Sequence, residues 1–427
     1  MATTMSGNLP VQKWAASPKI ALGPWGAEPQ LPAEATVLRA SLRRFASEIM
    51  RPIGRDLDRL TAAEVVKPSS RFFECHRCFS ELGITMDRLS QMGAQQRGLM
   101  LPILFEELGW GDAGLATSIG ARLLPHYMAV KLGNRFIRET YSEELLGCWA
   151  ITEPDHGSDC LDPGQALQHP LGTYGQPACA AKITDDQVII NGQKAAWVSN
   201  GSVGELCLLF CSAEGPNGPD PMRGICVVVP MDTPGVTRGT PLEKMGQRAL
   251  PQGAIFFNNV CVSTEHLLAT PDNYQRVVYA IHSDVNVFMG AIFTGVARAA
   301  YDLALDYAHK RKQGGVPIIR HQDITKRLFN MLRKTEMASA LTRRVAMFNA
   351  LEPVPVIQAA IMAKVAATEN SLEVASDALQ IFGGHGLSSG QPIEKIFRDA
   401  RASLIEDGCN HFLSLKGGIQ LIDEARL

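Results

Sequence analysis

The spacing of apolar residues changes twice along this 427-residue chain, and that double change constrains the fold more than any other feature. From residue 33 to about 146 the repeat is helical: Val37, Leu38, Leu42, Phe45 and Ile49 fall on one face, as do Leu99, Ile103, Leu104 and Leu108. Near Cys148 short β-prone runs take over, at 148–152, 187–191, 196–199, 206–210, 225–229 and 255–262, with Asp185-Asp186 and Asn191-Gly192 as turn signals between them. From about Asn273 the helical repeat returns. It is strongest over 296–309 and 356–381, the second run following Pro353 and Pro355 and stopped by Gly383-Gly384. Residues 350–380 are rich in alanine, which suits close helix packing. The pattern predicts an α+β, mainly α fold. It has an extended arm over 1–32, a helical domain over 33–146, an antiparallel β-domain over 147–268 and a four-helix-bundle-like domain over 269–427.

Composition narrows the function. A formal net charge of -2 gives no basic field for nucleic acid, so an anionic ligand must be met by local positive groups. The longest apolar stretch, 285–297, falls short of the roughly 20 residues that span a bilayer. Residues 1–10 lack the charged start and apolar core of a secretory signal. Ten cysteines without framework spacing suit reduced thiols, and a cytoplasmic location is expected. The lone Cys75-His-Arg-Cys78 is read as two positions on a helix, and no metal is expected.

Two blocks in the β-region carry chemistry. Trp149-Ala-Ile-Thr-Glu-Pro-Asp-His-Gly-Ser-Asp159 reads as a strand ending in a turn that exposes backbone amides and small hydroxyls, donors suited to a flat polar heterocycle. Asn191-Gly-Gln-Lys-Ala-Ala-Trp-Val-Ser-Asn-Gly201 sets an indole and a hydroxyl two residues apart, on one face of a predicted strand.

Together these blocks resemble the acyl-CoA dehydrogenase family, with its Thr-Glu-Pro-x-x-Gly-Ser-Asp turn and Trp-(Ile/Val)-(Thr/Ser)-Asn-Gly strand. Three later segments extend the resemblance in the same order: Arg311-Lys-Gln-Gly-Gly with His321-Gln322, Gln380-Ile-Phe-Gly-Gly-His-Gly386, and Ile393-Glu-Lys-Ile-Phe-Arg-Asp-Ala400. It spans about residues 33–425.

The resemblance implies FAD and an acyl-CoA-type thioester. Ile151 and Thr152 would contact the flavin pyrimidine edge, Gly157 and Ser158 would sit between flavin and thioester, and Trp197 and Ser199 would flank the isoalloxazine. In this family the FAD crosses a subunit interface. Arg311, Gln313, His321, Gln322, Gln380, Gly383 and Gly384 would then face a neighbour's adenosine and pyrophosphate, where a guanidinium can fork two oxygens. A homodimer or homotetramer follows, with an electron-transfer flavoprotein or similar acceptor. Ser158, Asn286 and Gly408 would border the substrate.

Dehydrogenation between the α and β carbons needs a base for the α-proton, donors for the thioester carbonyl and a hydride acceptor. The loop Ile405-Glu406-Asp407-Gly408 sets Asp407 where the family often has a glutamate base, and Glu406 where a tyrosine is common. Aspartate is one carbon shorter, roughly 1.5 Å, so either acid can be the base. Asp284, on a helix where some relatives carry an alternative base, is a third candidate.

Further departures are the two alanines between Lys194 and Trp197, a possible bulge; Gly314 where an aromatic is common; Asn286 in place of an arginine; and Cys409-Asn410-His411 in place of Thr-x-Gln. They leave open a flavin oxidase or monooxygenase, or a non-catalytic FAD-binding subunit, on the same fold.

Overall fold

The computed structural model describes residues 26–423, apart from 29, 166, 168–173 and 217. Most of the arm expected over 1–32 lies outside the described residues.

The first helical region comprises α1 (Ala33–Phe45), α2 (Arg51–Leu57), α3 (Ala62–Val65), α4 (Arg71–Glu81), α5 (Met86–Ser90), α6 (Ala94–Gly111), α7 (Ala113–Lys131) and α8 (Arg135–Thr140). Caps mark the starts: Thr61 and Glu64 form a capping box on α3, and the Asp112 carboxylate accepts from Leu115 N at the start of α7. Cys75 and Cys78 lie one turn apart on α4, with Cys75 in the core.

Eight strands follow, β1 (Gly147–Ala150), β2 (Cys179–Ile183), β3 (Gln187–Lys194), β4 (Leu206–Gly215), β5 (Gly218–Pro230), β6 (Val236–Arg238), β7 (Ile255–Ser263) and β8 (Leu267–Ala269). They form one sheet in the order β6-β7-β3-β2-β4-β5-β8, with β1 beside β4. The sheet is mixed, a correction to the antiparallel expectation: β4 runs parallel to β1 at Cys148↔Cys207 and to β2 at Ala180↔Ser212. β3 carries the chain back antiparallel to β2, so β4 enters on the other side of β2 running in the same direction as it. One face, with Trp149, Leu208, Phe210 and Val228, joins the core shared with the helices; Cys148, Ala150, Leu209 and Val227 point the other way.

Asn191-Gly192 is not a turn. It lies within β3, where the register shifts and Gly192 takes φ 116°; an added Cβ there would meet the Ala178 carbonyl oxygen at 2.0 Å. The strand expected at 196–199 is also absent. Residues 195–200 form a turn closed by Asn200 at φ 60°, with Ser199 held by isolated bridges to Trp149 and Gln252.

The chain closes with α9 (Tyr274–Lys310), a small β9–β10 hairpin (Lys312–Gln313, Val316–Pro317), α10 (Gln322–Leu351), α11 (Ile357–Phe382), α12 (Pro392–Ala402) and α13 (Asn410–Ile419). The four-helix bundle draws its fourth member from the first region: α6 packs with α9 and α10, and α11 packs with the same two helices. Gly295 against the Glu106 carbonyl and Gly109 against the Ile292 carbonyl let α6 and α9 approach where any side chain would clash. Glu106 then bridges Arg298 of α9 and Arg343 of α10. Although α9 is long and apolar enough to cross a bilayer, 83% of its most apolar window is buried inside the protein.

Candidate active site

The Thr152–Asp159 turn is built to hold its shape. Glu153 and His156 exchange backbone bonds at 2.8 and 3.1 Å, and Asp159 accepts from the Gly157 amide at 2.6 Å while contacting His156 Nδ1 at 2.7 Å. Beneath it lies a buried ion pair. Lys194 Nζ donates to Glu153 Oε1 at 2.6 Å and to the Ile151 carbonyl at 3.1 Å, tying the turn to β3. Ala195 N donates to the Thr152 carbonyl at 2.9 Å, so the turn carrying Trp197 lies directly beside the first.

That second turn is anchored from below by Asn200. Its amide donates to the Ser118 and Gly147 carbonyls, both at 2.9 Å, and its oxygen accepts from Ser118 Oγ at 2.7 Å. Short polar side chains tolerate the left-handed conformation that Asn200 adopts. Trp197 is 60% exposed, so its indole is not a core residue. A polar scaffold that holds a large aromatic in the open leaves a flat wall for a ring system.

Ser158 Oγ accepts from the Cys409 amide at 3.0 Å and so joins the first turn to the loop after α12. In that loop Asp407 takes φ 51° and Gly408 φ 89°. Below them Lys364 of α11, fully buried, donates to the Gly408 carbonyl at 2.9 Å and to Asn410 Oδ1 at 2.8 Å.

The two loop acids face different surroundings. Glu406 Oε1 accepts from Gln247 Nε2 at 2.5 Å. The Asp407 carboxylate has no hydrogen-bond partner among the described residues. Instead Asp407 lines an apolar cavity with Phe105, Leu124, Trp149, Ser199 and Phe288. Burial pushes Asp407 up to about 6, against the opposing pull of Lys364. Burial and then the Asp407 charge push Glu406 up to about 7, although the Gln247 bond opposes this. A carboxylate displaced toward neutrality and facing an apolar cavity suits proton abstraction from a weak carbon acid.

Asp284 is not in this cavity. Its Oδ2 accepts from Tyr127 OH at 2.6 Å and pairs with Lys131. Asn286 does not border the cavity either. It is fully buried and donates to the His282 carbonyl one turn back at 2.8 Å, while Val285, Phe288 and Met289 turn the adjacent face of α9 to the cavity. A residue one step away on a helix points about 100° aside, which sends Asn286 into the bundle.

Arg311, Gln313, His321, Gln322, Gln380, Gly383 and Gly384 gather elsewhere, where α9 ends, α10 begins and α11 ends. Tyr307 stacks on Phe382 at 4.0 Å and so binds the first and last of these ends; His321 Nε2 contacts the Gln313 carbonyl at 3.0 Å. Apart from the half-buried His321, the group is exposed. No hydrogen bond or ion pair among the described residues joins it to the Ser158–Trp197 group. The residues fit an FAD. Trp197 offers an open aromatic wall, Arg311 and Gln380 offer exposed donors, and a Cβ at Gly157, Gly383 or Gly384 would meet nothing within 4 Å.

Sequence comparison agrees with this geometry. The acyl-CoA dehydrogenase middle domain matches residues 148–260, and the acyl-CoA dehydrogenase C-terminal domain matches 286–415. The chain is 29% identical over 398 residues to the mitochondrial short-chain specific acyl-CoA dehydrogenase of Rattus norvegicus, covering 90% of this chain and 89% of the rat protein. It is 29% identical over 395 residues to the benzylmalonyl-CoA dehydrogenase of Aromatoleum aromaticum, covering 90% and 96%. Among solved structures, a glutaryl-coenzyme A dehydrogenase in complex with glutaryl-CoA superposes with a TM-score of 0.79 at 23% identity, covering 92% of this chain and 96% of that one. The butyryl-CoA dehydrogenase of Megasphaera elsdenii gives 0.75 at 23%, covering 92% and 100%. The chain belongs to the acyl-CoA dehydrogenase family, flavoprotein oxidoreductases that use FAD.

Lys194, Lys364, Gln247 and Asn200 were not singled out as site residues by the sequence. Lys364 had a visible signal: it is a lone charge on the buried face of the Ala-rich run 359–367. The others act through tertiary contacts that no local pattern announces.

Proposed function

We propose that this chain dehydrogenates a short acyl-CoA thioester between Cα and Cβ, with Asp407 as the base. The observation that carries the reading is the apolar cavity. Among the described residues, Asp407 supplies the one carboxylate in its lining, and Ser199 of the flavin-side turn lines it too. The Phe105–Phe288 stack that closes the cavity favours a short acyl group. Glu406, engaged by Gln247, acts as a neighbour whose own ionisation is held back.

In this reading the apolar walls exclude water and hold Cα beside Asp407, which takes the proton. Bound FAD supplies the hydride acceptor for Cβ. Trp197, Ser199 and the Thr152–Ser158 turn would orient the ring system, and Arg311, Gln380 and Gly384 would hold the nucleotide end of a cofactor shared with a second copy. Exposed Phe329, Met337, Phe348 and Met362 on α10 and α11 supply apolar surface for the dimer or tetramer this requires. A flavoprotein acceptor is the expected oxidant of the reduced enzyme.

The test is purification followed by anaerobic reduction. Yellow protein with bound FAD, a size of two or four chains, and bleaching by butyryl-CoA are expected. A colourless monomer that takes up no added FAD, or a flavin left unbleached by every short acyl-CoA, would refute it.

A further inference from the structure

The apolar cavity ends against aromatic rings. Phe105 of α6 and Phe288 of α9 stack with centroids 4.5 Å apart and 24° between planes, and both are buried. Tyr127 of α7 meets Phe288 edge-on at 5.6 Å. Phe288 also lines a second cavity, between α5, α6, α7, α9 and the end of α10, and among the described residues it is the one that borders both.

The rear cavity differs in character. Arg97, Lys131, Asp284 and Glu352 border it, two charges of each sign, so it has no net charge to recruit an ion. The Tyr127 hydroxyl and Lys131 ammonium are already committed to Asp284. Leu101, Val130, Val287 and Phe288 supply apolar wall between these groups. Such a space suits an uncharged chain, apolar along its length, better than a separate anionic or cationic ligand.

We propose that Phe288 is the specificity-determining residue of the acyl site, and that the rear cavity is an extension of that site which its ring closes off. A chain longer than the front cavity can advance only by displacing the Phe288 ring, which breaks the stack on Phe105 and the edge contact with Tyr127 together. With the ring in place, length is penalised; with the ring removed, the two spaces become one. The inference rests on the reading of the front cavity as the acyl site.

The experiment measures kcat/KM with butyryl-, hexanoyl-, octanoyl- and decanoyl-CoA for the parent, Phe288→Ala and Phe288→Leu, each as FAD-loaded protein. The parent should favour butyryl-CoA. Phe288→Ala should raise the octanoyl-to-butyryl ratio by roughly 10-fold or more, since each methylene that gains or loses a pocket is worth about that much. Phe288→Leu, closer in volume, should shift it less. An unchanged ratio in Phe288→Ala overturns the inference. If that variant loses its FAD, Phe105→Ala decides in its place, because removing the other half of the stack frees the ring; an unchanged ratio there overturns the inference equally. A parent that prefers octanoyl-CoA also overturns it, whereas a parent reduced by none of the four thioesters overturns the proposed reaction itself.

Discussion

The Lys364 ammonium donates to the Gly408 carbonyl at 2.9 Å, from beneath the loop that carries Asp407. A lysine with no exposure is costly unless its donors are used, and here Gly408 and Asn410 use two of them. Burial lowers Lys364 to about 8, and the nearby Asp407 and Glu406 hold it up against that effect. The same charge restrains the rise at Asp407. Lys364→Met keeps the length and removes both bonds and the charge. It should slow flavin reduction and move the midpoint of its pH dependence upward by roughly one unit. A slower rate with an unmoved midpoint would reduce Lys364 to a mechanical support.

Asp407→Asn should leave FAD bound and lower the rate of flavin reduction by roughly 10²- to 10⁴-fold, the usual contribution of a positioned base. Glu406→Gln should cost much less, because Gln247 already occupies its carboxylate. Anaerobic single-turnover reduction by butyryl-CoA measures both. The reverse ranking would exchange the roles of the two acids, and two fast variants would remove the base from this loop.

With Asp407 near 6, the reduction rate should climb through about pH 6 and level off above it, since the base works only when ionised. Stability should run the other way. The folded protein keeps the Asp407 proton to higher pH than the unfolded chain, whose value is 3.8, so stability falls as pH rises from about 4 to 6 and stays lower beyond. Glu406, raised from 4.5 to about 7, extends that decline. The Tm gain of Asp407→Asn over the parent should therefore be larger at pH 8 than at pH 4. Equal gains at the two pH values would contradict the raised value.

Trp197→Ala should weaken FAD retention or shift the flavin spectrum while leaving the fold intact, because an indole 60% exposed contributes little to the core. Absorbance after extensive dialysis is the measurement. Full retention with an unaltered spectrum would leave the ring without a cofactor role.

The helical and β textures were legible because repeats of 3.6 and 2 residues are local properties, visible wherever one face is buried. Of the two parallel partners of β4, β1 fell in the expected run at 148–152, but β2 escaped notice: reading Cys-Ala-Ala-Lys-Ile, it has too little β-branched character to announce itself. The Asn191-Gly192 pair carried a hairpin signal, yet the glycine was needed for a bulge against the Ala178 carbonyl. Trp197 was legible as a motif residue, but the turn that exposes it depends on Asn200 reaching Ser118, 82 residues away. The separate environments of Glu406 and Asp407 were beyond reach, since Gln247 lies 159 residues from the acid it binds.

Among the described residues the Ser158–Trp197 group and the exposed group around Arg311 share no bond within one chain, and under the proposed sharing of the cofactor this separation has a genetic consequence. A chain carrying Asp407→Asn still offers an intact Arg311 surface, and a chain carrying Arg311→Ala still offers an intact Asp407 loop. Two alleles that are each inactive alone should therefore restore activity when co-expressed. The hybrid oligomers would contain sites assembled from one good half of each parent, whereas two alleles damaged on the same side would remain silent in every combination.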